Sequence, residues 1–175
     1  PVEEAIRENL VEVAPKAGKI KKVTTNEELG TTEWTLSNGV RVVIKPTEFK
    51  QDEILFSAFS KGGQSLVATE DLVSAALATD VVSVSGIADM TMTDLQKALT
   101  GKNVSCSPSI NANTESIDGG STVKDLETLL QLNYLYFTAP RRDEDAYAML
   151  MSILESQLAN RDKNPKSAFS DSVQM

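Results

Sequence analysis

The chain has 175 residues, of which 41% are hydrophobic and 24% are charged, and its formal net charge is −8. This length supports one domain with a real core, and this composition argues against wholesale disorder. Binding to a nucleic-acid backbone requires clustered Lys and Arg, whereas the basic residues here form only two short runs, Lys16–Lys22 and Arg141-Arg142. The composition therefore excludes nucleic acid as an expected partner.

Two apolar stretches, Leu129–Phe137 and Ala146–Leu154, are the longest in the chain, and polar residues interrupt both. A helix needs roughly 20 apolar residues to span a bilayer, so no membrane span is predicted. The N-terminus Pro1-Val2-Glu3-Glu4 lacks an initiator Met and the basic-then-apolar order of a signal peptide. We therefore expect a fragment or a processed chain, whose compartment the sequence leaves open.

Residues 1–32 differ in pattern from the rest of the chain. Glu3–Val13 has the spacing of a short amphipathic helix, and Pro15–Lys22 is typical of a tether. The segment is interpreted as an inter-domain linker and the end of a preceding domain.

A β-hairpin is the clearest local signal. Asn38-Gly39 lies between two alternating runs that end at Pro46, and this dipeptide favours a tight turn because both residues tolerate positive φ. A third strand, Glu53–Ser60, has large apolar residues on both faces, which predicts a central position in the sheet.

Glycines and capping residues then delimit two helices. Gly62-Gly63 predicts a turn, since the Gly-Lys-Ser/Thr that a phosphate loop requires is missing. A helix is expected from Thr69 to about Val82, closed by Gly86. A second helix begins at Thr91, where Thr91-x-x-Asp94 has capping-box spacing, and ends at Gly101.

The C-terminal half adds two strands and three helices. The strands are Asn103–Asn111 and Thr114–Asp118. The predicted helices run from Ser121 or Thr122 to Pro140, from Asp143 to about Ala159, and from Asn164-Pro165 to the chain end. This order predicts an α+β fold, with a mixed or antiparallel sheet, helices packed on one face, and truncation at the C-terminus.

Three features have both a functional and a structural interpretation. Cys106 could act as a nucleophile only with a base, and the sequence contains no histidine, so a small residue facing the core is favoured. Asp143-Glu144-Asp145 lacks the spacing of a calcium loop and fits a helix N-terminus. An aromatic cluster is interpreted as core and interface in preference to a binding patch, and comprises Tyr134, Tyr136 and Phe137.

The segments Trp34–Pro46, Ile54–Ser60, Gly62-Gly63 and Asp125–Asp143 together resemble a repeat domain of the insulinase/pitrilysin (inverzincin) zinc peptidases. The resemblance covers roughly Glu33 to Met175. It implies a sheet with helices on one face, and in catalytic repeats the first helix carries His-x-x-Glu-His. Matching Gly86 to the glycine that follows that motif places the motif on residues 77–81.

No catalytic or metal site is expected here, because the motif positions are degenerate. The two histidine positions fall on Leu77 and Val81, the glutamate position on Asp80, and the third ligand of the family on Glu155. Catalytic zinc usually takes histidine among three protein ligands, and two carboxylates alone favour harder cations. The structural interpretation of Asp80 and Glu155, as solvent-exposed helix residues with no metal ligand role, is therefore favoured.

By resemblance, residues 33–175 form an incomplete, non-catalytic repeat, the third of four in a bacterial zinc protease. The implied role is to shape the peptide chamber, with zinc held by the catalytic repeat and with other repeats and peptide substrates as partners. A purely structural or assembly module is the alternative, and an unrelated enzyme using Cys106 or Asp80 is a third hypothesis. Family members of this kind in bacteria are often periplasmic or located in the envelope.

Overall fold

A computed structural model of the protein describes residues 9–161 together with residues 163, 165, 166, 169 and 173. The predicted helices at Glu3–Val13 and from Asn164 onward lie largely outside the described residues. The described chain divides into two units, one made of Val11–Glu53 and the other of Asn9 and Leu10 with the chain from Ile54 onward.

A three-stranded antiparallel sheet forms the first unit, in the order β1 (Ile20–Asn26), β2 (Thr31–Leu36) and β3 (Arg41–Ile44). The predicted hairpin is confirmed, since β2 and β3 pair across Asn38-Gly39 and Gly39 has a φ of 90°. The Leu36 amide donates to the carbonyl of Val40 at 2.8 Å and closes this turn. Local turn chemistry therefore sets the register of these two strands.

Strand β1 forms inside the segment that was interpreted as a linker and tether. Its sequence, IKKVTTN, is exposed along its whole length and alternates weakly, so its hydrophobic pattern gave little sign of a strand. The strand forms because its backbone pairs with β2, an interaction that the local sequence pattern does not predict. The assignment of residues 1–32 and 33–175 to separate domains stays a prediction.

A second antiparallel sheet anchors the other unit, in the order β4 (Ile54–Lys61), β6 (Thr114–Ser121) and β5 (Val104–Ile110). The predicted strand pair around residues 111–113 is confirmed as β5 and β6. The central position predicted for β4 is wrong, because within the described chain β4 pairs only with β6 and lies at an edge. Its second apolar side, Leu55 and Phe59, is 81% and 74% exposed.

Four helices accompany this sheet: α1 (Leu72–Ser85), α2 (Met92–Ala98), α3 (Leu126–Thr138) and α4 (Glu144–Arg161). Short 3-10 turns at Gly63–Leu66 and Thr69–Asp71 precede α1. Helix α3 packs on β5 and β6, α1 packs on β5, and α4 packs on α1. The predicted α+β class with helices on one sheet face is confirmed. The buried apolar residues that form the core are Leu10, Ile87, Met90, Leu95, Ala98, Ile117, Leu129, Leu132 and Leu135.

Two helix starts follow the predicted caps and two begin later than predicted. Helix α1 begins at Leu72 and ends at Ser85, because Thr69–Asp71 form a 3-10 turn and not the first turn of the predicted helix from Thr69 to about Val82. Thr91 accepts a hydrogen bond from the Asp94 amide at 3.2 Å, and Asp143 accepts one from the Ala146 amide at 3.0 Å, as a capping box and a helix N-terminus require. Helix α3 begins at Leu126, later than predicted, because Ser121 still belongs to β6. None of the described helices combines the length and apolar character needed to cross a bilayer.

Candidate functional site

Helix α1 carries the three positions that the sequence matched to a metal-binding motif. Leu77 and Val81 are one turn apart and therefore share a face, and both are half-buried. Asp80 is exposed. Two half-buried aliphatic side chains therefore lie at the positions that the sequence analysis matched to the two histidines.

Gly86, the residue that fixed the alignment of the motif, ends α1 in a conformation with φ 88° and ψ −154°. This region of backbone space is essentially restricted to glycine. A Cβ added there would lie 2.6 Å from the Thr91 carbonyl carbon and 2.7 Å from the Met92 nitrogen. The helix therefore ends at a position where the backbone itself demands glycine.

Glu155, matched to the third ligand, lies on α4 and is exposed. The fold packs α4 beside α1, so the two helices that bear the matched positions are neighbours. Within the described residues, no three side chains of His, Cys, Asp or Glu come together as a group that could hold a metal ion. Asp80 and Glu155 offer only oxygen donors, which suit harder cations better than zinc.

Cys106 lies on β5 and is half-buried. Burial raises the pKa of its thiol from 9.0 to about 11, and burial also raises the pKa of Tyr136, with a smaller contribution from Cys106. The thiolate is the nucleophilic form of cysteine, and it is scarce at neutral pH under these conditions. The environment of Cys106 therefore favours a packing role over a catalytic one.

Thiol labelling tests this assignment. The two-unit rise in the pKa of Cys106 corresponds to about 100-fold less thiolate at neutral pH than in an unfolded chain, so DTNB should react about 100-fold more slowly with the folded protein. Because the folded state holds this proton more tightly, stability should fall as pH rises through the interval from 9.0 to about 11. Equal labelling rates for the native and the urea-unfolded chain would show that the thiol is not shielded.

The aromatic cluster on α3 is only partly buried. Tyr136 is half-buried, whereas Tyr134 and Phe137 are exposed. Of the predicted core and interface roles, only Tyr136 therefore approaches the core, and an interface role for the other two stays a prediction. The helix turns Leu129, Leu132 and Leu135 inward, which directs the stripe of Leu130, Tyr134 and Phe137 away from the sheet.

The sheet β4-β6-β5 has a second, uncovered face that the sequence reasoning missed. A hydrogen-bonded chain of polar residues crosses it: Ser57 and Ser116 donate to the Asp118 carboxylate at 2.7 and 3.2 Å, and the Ser109 and Ser116 hydroxyls are 2.7 Å apart. With Ser105 and Ser107 these residues form what we call the serine face. The alternating serines of β5 were the feature of the sequence from which this polar face could have been predicted.

Chemically, the serine face presents hydroxyl donors and acceptors and one carboxylate, and the exposed Leu55 and Phe59 lie on the same side of the sheet beside Ser57. A serine nucleophile needs an adjacent base of suitable strength, usually histidine, and the sequence has none. Small side chains also leave the strand backbone accessible from this side. The face is therefore suited to polar contact with another molecule.

Comparison with known proteins gives a consistent assignment, although no family model matches the chain. A zinc protease PQQL-like protein of Arabidopsis thaliana is 30% identical over 172 residues. The alignment covers 98% of this chain and 16% of the relative, so the chain spans less than a fifth of that protein.

Solved structures show the same fold. A mutant of the ferredoxin protease FusC, crystallised with Arabidopsis ferredoxin, matches with a TM-score of 0.80 and 26% identity, over 99% of this chain and 19% of that one. The periplasmic protease PqqL from Escherichia coli matches with a TM-score of 0.77 and 22% identity, over 93% of this chain and 18% of that one. By sequence the chain is similar to one stretch of a zinc protease PQQL-like protein, and by fold it is similar to one stretch of the proteases FusC and PqqL.

Proposed function

We propose that this chain is a non-catalytic region of a multidomain zinc peptidase, which shapes the chamber for peptide substrates and binds no metal itself. One observation supports the proposal: Leu77 and Val81, which the resemblance matches to the two histidines of a catalytic repeat, are half-buried aliphatic residues on α1. A catalytic zinc needs three protein ligands and a bound water of lowered pKa. Packed aliphatic side chains can provide neither.

The remaining parts of a peptidase would come from the rest of a longer polypeptide. Zinc would be held by a catalytic repeat, and the other repeats would be the principal partners of this region. The relatives that match over a fifth or less of their length support this arrangement. We also propose that residues 33–175 are an incomplete repeat and that residues 1–32 link it to a preceding domain.

Substrate class and compartment follow from the same relatives as proposals. FusC was crystallised with ferredoxin, which supports a protein or peptide substrate for the longer protein. PqqL is periplasmic, which supports the periplasm or the cell envelope. The serine face supports a role in the chamber wall, because an uncovered sheet surface of hydroxyl groups can form hydrogen bonds with a polypeptide.

A structural or assembly module is the second candidate. The exposed stripe of Leu130, Tyr134 and Phe137 on α3 favours it, because an apolar helix surface of this kind is typical of contacts between domains or subunits. A chamber wall would contact peptides through the serine face, whereas an assembly module would contact other domains through α3. The two roles can therefore be distinguished by the surface that binds.

Metal analysis and a cleavage assay test the absence of a catalytic site. After dialysis against equimolar zinc, the purified chain should retain far less than one zinc per molecule and should leave unstructured peptides intact. A Leu77→His/Val81→His variant is the matched control, because two histidines one turn apart on a helix can chelate zinc. Stoichiometric zinc or peptide cleavage by the unmodified chain would refute the proposal.

Nuclear magnetic resonance separates the two candidate roles. An unstructured polypeptide added to the labelled chain should shift the amide signals of β4, β5 and β6 around the serine face. Shifts confined to α3 around Tyr134, or no shifts at all, would favour the assembly module instead.

A further inference from the structure

Leu10 is buried although it belongs to neither a helix nor a strand. It is 3% exposed, whereas Asn9 before it and Val13 after it lie exposed to solvent. Its contacts place it in the unit that continues from Ile54. One buried side chain in an irregular and otherwise exposed segment is typical of an anchor residue in peptide recognition.

Gln131 on α3 holds the backbone of this segment. The Leu10 amide donates to Gln131 Oε1 at 2.7 Å, although the two residues are 121 positions apart in the chain. Gln131 Nε2 donates to Asn9 Oδ1 at 3.5 Å, so one side-chain amide contacts two successive residues. In the recognition of extended peptides, hydrogen bonds to the main chain give affinity and a buried side chain gives specificity.

Glu127 fixes the orientation of the Gln131 amide. The two residues are one turn apart on α3, and Gln131 Nε2 donates to Glu127 Oε1 at 3.3 Å. An ionised carboxylate only accepts hydrogen bonds, so it selects Nε2 and leaves Oε1 to face the Leu10 amide, which only donates. The acceptor for the backbone N–H is therefore positioned by α3 itself, independently of the segment that it binds.

We propose that this part of α3 is a binding site for an extended peptide that carries a leucine with a free backbone N–H, and that Leu10 occupies the site in cis. The segment is held by one apolar side chain and by hydrogen bonds to a single residue, so another segment with the same chemistry can replace it. This inference goes beyond the proposed function and holds whether or not the longer protein binds zinc.

A peptide with the sequence of residues 7–13 tests the site on the full chain. In the Leu10→Ala variant, added peptide should shift the side-chain amide signals of Gln131 in the NMR spectrum of the labelled chain. The unmodified chain should bind the peptide about 10-fold more weakly, because Leu10 competes in cis at an effective concentration of about millimolar. Val13→Ala is the matched control, since Val13 is 82% exposed, and it should bind as weakly as the unmodified chain.

Two changes separate the hydrogen bond from the apolar contact. A peptide N-methylated at its leucine lacks the N–H donor, and Gln131→Ala, added to the Leu10→Ala chain, lacks the acceptor. Each should weaken binding about 5–10-fold, as the loss of one hydrogen bond does. A peptide with alanine at the leucine position should not bind.

No binding by the Leu10→Ala chain, or equal binding of the three peptides, would overturn the proposal. A Leu10→Ala chain that circular dichroism shows to be unfolded would overturn it as well, because Leu10 would then be required for the fold and would not be an exchangeable occupant. Shifts confined to β4, β5 and β6 would support the proposed function and overturn this inference, so the two are separable.

Discussion

Replacement of Gly86 by alanine is expected to destabilise the fold by about 2–6 kcal/mol. A left-handed or otherwise restricted backbone conformation adds about 1–3 kcal/mol for a residue with a Cβ, and a steric clash in a packed region adds about 1–3 kcal/mol more. Both penalties apply here, because φ is 88° and the Cβ would approach backbone atoms of Met90, Thr91 and Met92. Backbone atoms cannot move aside as a flexible side chain would.

Gly101 is the matched control for this substitution. It also has a positive φ, of 79°, but an added Cβ would meet nothing within 4 Å. Gly101→Ala should therefore cost only about 1–2 kcal/mol, the conformational part of the penalty. Urea unfolding followed by circular dichroism measures both free energies. Equal values for the two variants would show that the close approach at Gly86 has no energetic weight.

Truncation of Leu129 to alanine is expected to reduce the free energy of unfolding by about 2–5 kcal/mol. Its side chain is fully buried, at 0% exposure, on the face of α3 that packs against β5 and β6. Removal of a buried leucine side chain loses its transfer free energy and leaves a cavity that the surrounding residues fill only in part.

The next residue provides the comparison. Leu130 is 48% exposed on the same helix, so Leu130→Ala has the same chemistry and the same helix propensity change without the cavity. Its effect should stay below about 1 kcal/mol. Thermal and urea unfolding of both variants would measure the difference. A larger loss at Leu130 than at Leu129 would mean that α3 packs through its other face.

Local signals in the sequence were sufficient to predict much of the fold. Asn38-Gly39 predicted a hairpin because a tight turn needs a residue that accepts positive φ, which in the structure is Gly39. Thr91 predicted a helix start because its hydroxyl caps the Asp94 amide. Both depend on residues only a few positions apart. The order of strands in a sheet depends instead on residues that are far apart in sequence. Strands β4 and β6 are some 60 residues apart, and no local pattern specified that β4 would lie at an edge.

The candidate site was predictable in a similar, limited way. The absence of histidine is a property of composition, whereas the match of Leu77 and Val81 to the two ligand positions comes from the resemblance to a zinc-peptidase repeat and stays a prediction. The serine face could not be predicted to the same degree. Ser57 and Asp118 belong to strands that are distant in sequence, and only their pairing makes the 2.7 Å hydrogen bond between them.

The backbone of Gly86 has a consequence for the detection of such chains. Because position 86 requires glycine for steric reasons, any related chain with this helix end should retain glycine there, whether or not its helix binds a metal. The choice of residue at positions 77 and 81 is less restricted, because half-buried aliphatic positions such as Leu77 and Val81 accept other apolar residues of similar volume. A search keyed to metal ligands would pass over a chain like this one. A search keyed to turn glycines and strand spacing would find it.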